Sequence, residues 1–245
     1  MNTTNQKLLE DLILKLDSED NLAPATLFAY RFEVSKFLKF VDKDALEVTT
    51  RDFRTYLYHL KNSGISPATR RRSIVLNRRF FAFLVSEGYT QTNPIKGVSY
   101  PKMRLKEVES LTKEEVYHFF DTIQDLQDRA IFTILYQNGC RVGELINLDV
   151  GAVDPSGKLI VDGKTGVREC YIGDEGFEIY NQWLKERNKR HISSKDKNAL
   201  FLCRSGARIY ERFVLRRAKG YARKAGIIRI NVTVHTFRKT FTTHL

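Results

Sequence analysis

Nowhere does this 245-residue chain stay apolar for long enough to span a bilayer, and its first residues lack the basic-then-apolar pattern of an export signal. Those absences exclude an integral helical membrane protein and predict a soluble, cytoplasmic one. Cysteine is scarce: Cys140, Cys170 and Cys203 are scattered, odd in number and without metal-ligand spacing. A disulfide scaffold and a cysteine metal site are therefore excluded, and the three read as reduced core thiols. Acidic residues are outnumbered, 29 against 41 Lys and Arg, and do not cluster as a two-metal nuclease requires. No metal and no cofactor is expected. Internal repeats and low-complexity segments are also missing.

What is present is a 42% hydrophobic chain, enough to bury the core of one large or two modest domains, with a formal charge of +12. Such an excess favours a polyanionic partner. An anionic membrane competes with nucleic acid for that role, but no helix has the lysine-rich, Trp/Phe-edged look of a membrane binder.

Helical periodicity dominates the first half. Residues 3–16 form a leucine-rich amphipathic helix. Pro24 opens a second, with Leu27, Tyr30, Val34, Phe37, Leu38 and Val41 in helical register. A third starts near Thr50, buries Phe53, Leu57 and Leu60, and stops at Gly64. Ser66 caps a fourth, with Pro67 behind it, that runs to about Ser86. Residues 1–90 thus read as a small helical bundle. The stretch 91–107, with Pro94, Gly97, Pro101 and several basic residues, reads as a linker. Residues 108–245 form a second domain, opened by a Thr112–Glu115 capping box.

The fourth helix carries Arg70, Arg71, Arg72, Arg78 and Arg79 with no acidic residue before Glu87. Charge runs are commonly solvated faces. This one has no intrahelical ion pairs, which favours phosphate contact along duplex DNA. Later the period changes: residues 159–161 and 169–172 flank Asp162-Gly163-Lys164-Thr165-Gly166, a hairpin with Lys164 at or near its tip. Residues 174–190 form a helix around Trp183, residues 199–202 a short strand, and residues 210–225 a basic helix ending at Gly226.

Two stretches carry the chemistry. An apolar helix runs into Asn138-Gly139, where glycine ends it in the left-handed conformation. Arg141 starts a second short helix between apolar runs, and Glu144, three residues on, shares its face. A structural Arg–Glu pair and a half-buried arginine poised for bidentate phosphate contact both fit these residues. Near the end, His235 and Arg238 stand at i and i+3 on one helical face. Two arginines and a histidine can surround a phosphate and stabilise charge on its oxygens.

The segments Asn138-Gly139-Cys140-Arg141-Val142-Gly143-Glu144-Leu145, Asp162-Gly163-Lys164-Thr165-Gly166 and His235-Thr236-Phe237-Arg238 resemble, in order and spacing, the arginine box, hairpin lysine and His-x-x-Arg box of the tyrosine recombinase (phage integrase) family. The resemblance covers almost the whole chain. It implies a mainly α fold with an α+β catalytic half. A helical, SAM-like core-binding domain would precede a DNA breaking–rejoining domain with a small β-hairpin. It further implies a site-specific recombinase that clamps double-stranded DNA and works through a 3′-phosphotyrosine intermediate beside other protomers in a tetrameric synapse. Arg141 and Arg238 would hold the phosphate, His235 would add a donor or move a proton, and Glu144 would support Arg141. Lys164 would protonate the departing 5′ oxygen.

One part of that pattern is not matched. The family's attacking tyrosine lies well beyond the His-x-x-Arg box, and the sequence stops at Leu245, seven residues past Arg238. No nucleophile is assigned in the chain, which is expected to be a fragment ending before it. His244 matches an ordinary histidine of the family and reads as structural. Tyr210 and Tyr221 precede the box and read as packing residues. Lys239 replaces the histidine that commonly follows the box arginine. The competing readings are a DNA-binding relative without chemistry that occupies recombination sites, and a type IB topoisomerase-like enzyme.

Overall fold

The computed structural model describes residues 2–103, 109–163 and 166–244. The chain divides into two compact units, residues 1–106 and 107–245.

The first unit is built on four helices: α1 (Thr3–Ser18), α2 (Pro24–Val41), α3 (Thr50–Asn62) and α4 (Pro67–Ser86). Each start is fixed locally. The Asn2 side chain accepts the Asn5 amide, Thr49 and Asp52 form a capping box, and Ser66 accepts the Thr69 amide ahead of Pro67. The inward stripes meet in one cluster, with Val34, Phe37, Phe53, Phe80 and Leu84 removed from water. Truncating a fully buried phenylalanine such as Phe37 would cost about 3–5 kcal/mol.

Part of the expected linker belongs to this core. Ile95 and Val98 are buried in the first cluster. Thr50 Oγ1 donates to the Pro94 carbonyl, and Asn93 Nδ2 to that of Arg78. Arg78 returns the contact, with Nε on the Ile95 carbonyl, Nη2 on the Val98 carbonyl and Nη1 on the Tyr100 hydroxyl. Apolar side chains at 95 and 98 anchor a segment whose prolines and glycine read as a tether.

The second unit contains α5 (Lys113–Asp121), α6 (Leu126–Asn138), α7 (Val142–Ile146), the strands β1 (Lys158–Gly163) and β2 (Gly166–Tyr171), then α8 (Asp174–Arg187), α9 (Glu211–Lys224) and α10 (Val234–His244). The Thr112–Glu115 capping box is present at the start of α5. β1 and β2 pair antiparallel from Lys158↔Tyr171 to Gly163↔Gly166. Leu159 and Val161 point into the core, where Phe119, Phe132, Trp183 and Phe237 are also buried. Phe237 meets Phe119 and Phe132 at ring-centroid distances of 4.9 and 5.2 Å, which seats α10 against α5 and α6.

Residues 199–202 do not form the expected strand. They make only isolated bridges, Asp149↔Ala199 and Leu202↔Arg208. Two of their carbonyls accept from side chains of α8, Leu200 from Trp183 Nε1 and Ala199 from Arg187 Nε, while the Phe201 carbonyl accepts the Ile209 amide. The Leu202 amide goes to Gln127 Oε1 and the Leu200 amide to the Leu148 carbonyl, so this stretch divides its backbone groups among separate partners and makes no continuous ladder.

Candidate active site

The site begins where α6 stops. Gly139 takes φ +55° and ends that helix, its amide bonded to the Leu135 carbonyl. A side chain at 139 would strike the Phe241 ring of α10 as well as straining the left-handed backbone, so glycine serves twice. Arg141 follows as the N-cap of α7. Its amide donates to Glu144 Oε2 at 2.8 Å and its Nη1 to Glu144 Oε1 at 2.8 Å. The Arg141 side chain stays 42% exposed, more open than its apolar flanks suggest, while that of Glu144 is 3% exposed. One of five guanidinium donors is engaged, leaving the others for a ligand.

Burial opposes charge on Glu144, but hydrogen bonds from Arg168, the Arg141 amide and the Arg141 guanidinium outweigh it and hold the carboxyl down to about 2. Arg168 was not singled out by sequence. Its Nη2 donates to Glu144 Oε2 at 2.7 Å from β2. The available signal was strand alternation, which puts Arg168 on the half-buried face with Cys170, where a charge needs a partner.

α10 supplies the second arginine. Arg238 Nη1 donates to the Gly139 carbonyl, bringing it to the turn that carries Arg141 across 99 residues of sequence. His235 lies one turn earlier on α10 and is exposed. The helix is fixed beneath them by Phe237 and by Thr240, whose hydroxyl accepts the Leu111 amide at 2.9 Å. His244 lies against Tyr136, Nδ1 to hydroxyl at 3.1 Å, in keeping with a structural part. Lys164 lies outside the described residues; its neighbour Gly163 packs so closely on Glu144 that a Cβ there would meet the carboxylate. Cys140, beside Arg141, is buried, which pushes its thiol up to about 12 and keeps it inert.

In the first unit the five arginines of α4 differ in use. Arg78 is committed to the segment after α4, and Arg79 pairs with Asp20 at 2.7 Å, a partner outside its own helix. Arg70 is half-buried, Arg72 is exposed, and Arg71 stacks over the Tyr100 ring at 4.8 Å.

A cleft of about 750 Å³ opens beside α9, lined by Arg190, Arg204, Tyr210, Arg216 and Arg217 among others. None of the box residues lines it.

Residues 106–245 match the phage integrase family, and residues 9–88 match the phage integrase N-terminal SAM-like domain. The chain is 29% identical to the tyrosine recombinase XerC of Alcanivorax borkumensis over 94% of its length and 77% of the relative's. It is also 29% identical to the tyrosine recombinase XerD of Oceanobacillus iheyensis, over 97% of its length and 84% of the relative's. Among solved structures it resembles a lambda integrase dimer bound to a COC′ core site, with a TM-score of 0.78, 16% identity, and coverage of 97% and 88% of the two chains. The XerH recombinase bound to difH in a post-cleavage complex gives a TM-score of 0.76 at 18% identity, covering 99% and 73%. With both domains matched in order, the chain belongs to the tyrosine recombinase, or phage integrase, family.

Proposed function

We propose that this protein clamps duplex DNA and acts in site-specific recombination or integration by phosphoryl transfer, alongside other protomers assembled on the DNA. The observation that carries this reading is the convergence of Arg238 on the Gly139 carbonyl with Arg141 two residues further along the same turn, held by a buried anion. A phosphodiester gains charge on its non-bridging oxygens as a nucleophile adds. Two guanidiniums presenting paired N–H donors stabilise that charge. His235, exposed one turn from Arg238, adds a donor or assists proton transfer, and Lys164 protonates the departing 5′ oxygen. Arg70, Arg71 and Arg72 of α4 take duplex phosphates. Arg78 is left out of that role because three of its nitrogens are engaged within the unit, while Arg79, half exposed with only Nη2 on Asp20, keeps donors for a phosphate.

The test is duplex affinity as a function of salt. Each lost phosphate contact lowers the log–log slope by about 0.9. Replacing Arg70, Arg71 and Arg72 together by alanine is expected to flatten the slope, and Arg141→Ala or Arg238→Ala to flatten it further. A slope that none of these changes moves would assign all five to solvated surface.

A further inference from the structure

The Glu144 carboxylate is divided between two arginines from different elements. Oε1 accepts from Arg141, and Oε2 accepts from both Arg168 and the Arg141 amide. Arg141, three residues away, already balances the charge of Glu144, so the second arginine has another part to play. It comes from β2, opposite Val161 and two ladder pairs from the Gly163↔Gly166 end. At that same end Gly163 is pressed against the carboxylate. Thus one buried anion is the meeting point of the arginine turn and the hairpin.

We propose that Arg168 is a positioning residue: it orients Glu144 to hold Arg141, and it fastens the hairpin to that same carboxylate. The proposal rests on the reading of Arg141 as a phosphate ligand. Burial works against the Glu144 charge, and the Arg168 contact is the largest of those opposing it. Among the described residues, the other groups around Glu144 are Arg141 and the Cys140 thiol from the turn, with Glu211 of α9 approaching at Gly143. Glu211 is an acid and cannot replace a lost cation. Without Arg168 the carboxyl therefore protonates at a higher pH. A protonated Glu144 is no ion-pair partner, and Arg141 loses its fixed orientation.

The experiment uses the 245-residue chain, a duplex DNA probe and the Arg141 Nε resonance, with Arg168→Ala, Arg168→Lys and Arg141→Ala. In the wild type the Arg141 resonance and the duplex affinity are expected to show no Glu144 titration between about pH 5 and pH 8. In Arg168→Ala the resonance should titrate at a higher pH than in the wild type. The Arg141 share of the affinity should fall as the pH drops through that raised value. Arg168→Lys should restore both, because a cation from β2 suffices. A resonance whose titration does not move up in Arg168→Ala would overturn the proposal. So would a pH-independent loss of affinity that lysine does not rescue, which marks a general loss of structure. If Arg141→Ala leaves duplex affinity unchanged, the phosphate reading fails, while the resonance still reports whether Arg168 governs Glu144.

Discussion

Glu144 is the residue on which most of the site depends, and its ionisation has a readable sign. Its carboxyl is held at about 2, against about 4.3 for an unperturbed glutamate. A depressed folded-state value contributes stability that is fully present above the unfolded value and is lost as pH falls through the folded one. The window is therefore between about pH 4.5 and pH 2, and the contribution is on the order of 3 kcal/mol. Asp52 shares this window, since Lys43 and the Thr49 cap also hold it at about 2. The difference between wild type and Glu144→Gln separates the two. Thermal melting followed against pH should show the variant less stable at neutral pH, with the gap closing as the wild type approaches pH 2. A constant gap would mean that Glu144 acts by shape, not by charge.

Among elements, the segment 93–100 shows what three donors from one arginine can do. With Arg78→Ala the Val98 carbonyl loses its partner, the Ile95 carbonyl keeps only the Val98 amide, and the Tyr100 ring loses one of the two guanidiniums stacked on it. The expected cost is about 2 kcal/mol, read as faster hydrogen exchange at the Ile95 and Val98 amides. Unchanged exchange would credit the segment to its buried side chains alone. The same segment shows why some of the fold was legible and some was not. Helix starts at Thr49, Ser66 and Thr112 were readable because cap and capped amide lie within three residues. The hairpin was readable because the apolar period changed from helical to alternating. The Arg141–Glu144 pair was equally local. By contrast, the acceptor of Arg238 is 99 residues away, the partner of Arg168 is 24 away, and two carbonyls at 199–202 are claimed from α8. A local pattern shows that a polar group needs a partner, but the tertiary fold decides which one.

For the whole molecule, two units with separate cores and a charge of +12 predict where the chain is cut and what it does on DNA. Lys96 and Lys102 are both exposed, but only Lys96 lies in the segment tied down by Arg78. Limited tryptic digestion should therefore cut at Lys102 before Lys96. The reverse order would place the end of the first unit before Ile95. Two tyrosines that precede the His-x-x-Arg box are poor candidates for a covalent step. Attack at phosphorus needs a hydroxyl held in line with the leaving oxygen. Tyr221 cannot provide it: the residue is buried and donates to Asp128 at 2.6 Å, and burial together with that carboxylate keeps its phenol well above the ordinary value. Tyr221→Phe should cost stability, about 1–3 kcal/mol, without affecting DNA chemistry. Tyr210 is 51% exposed at the start of α9, beside a cleft that none of the box residues lines. In the proposed function Arg141, His235 and Arg238 are assigned charge stabilisation and proton transfer, not attack. Any detergent-resistant adduct that the protein forms with a nicked or suicide duplex is therefore expected to survive both Tyr221→Phe and Tyr210→Phe. An adduct that forms and disappears with Tyr210→Phe would falsify this assignment and move the reacting phosphate to the cleft beside α9.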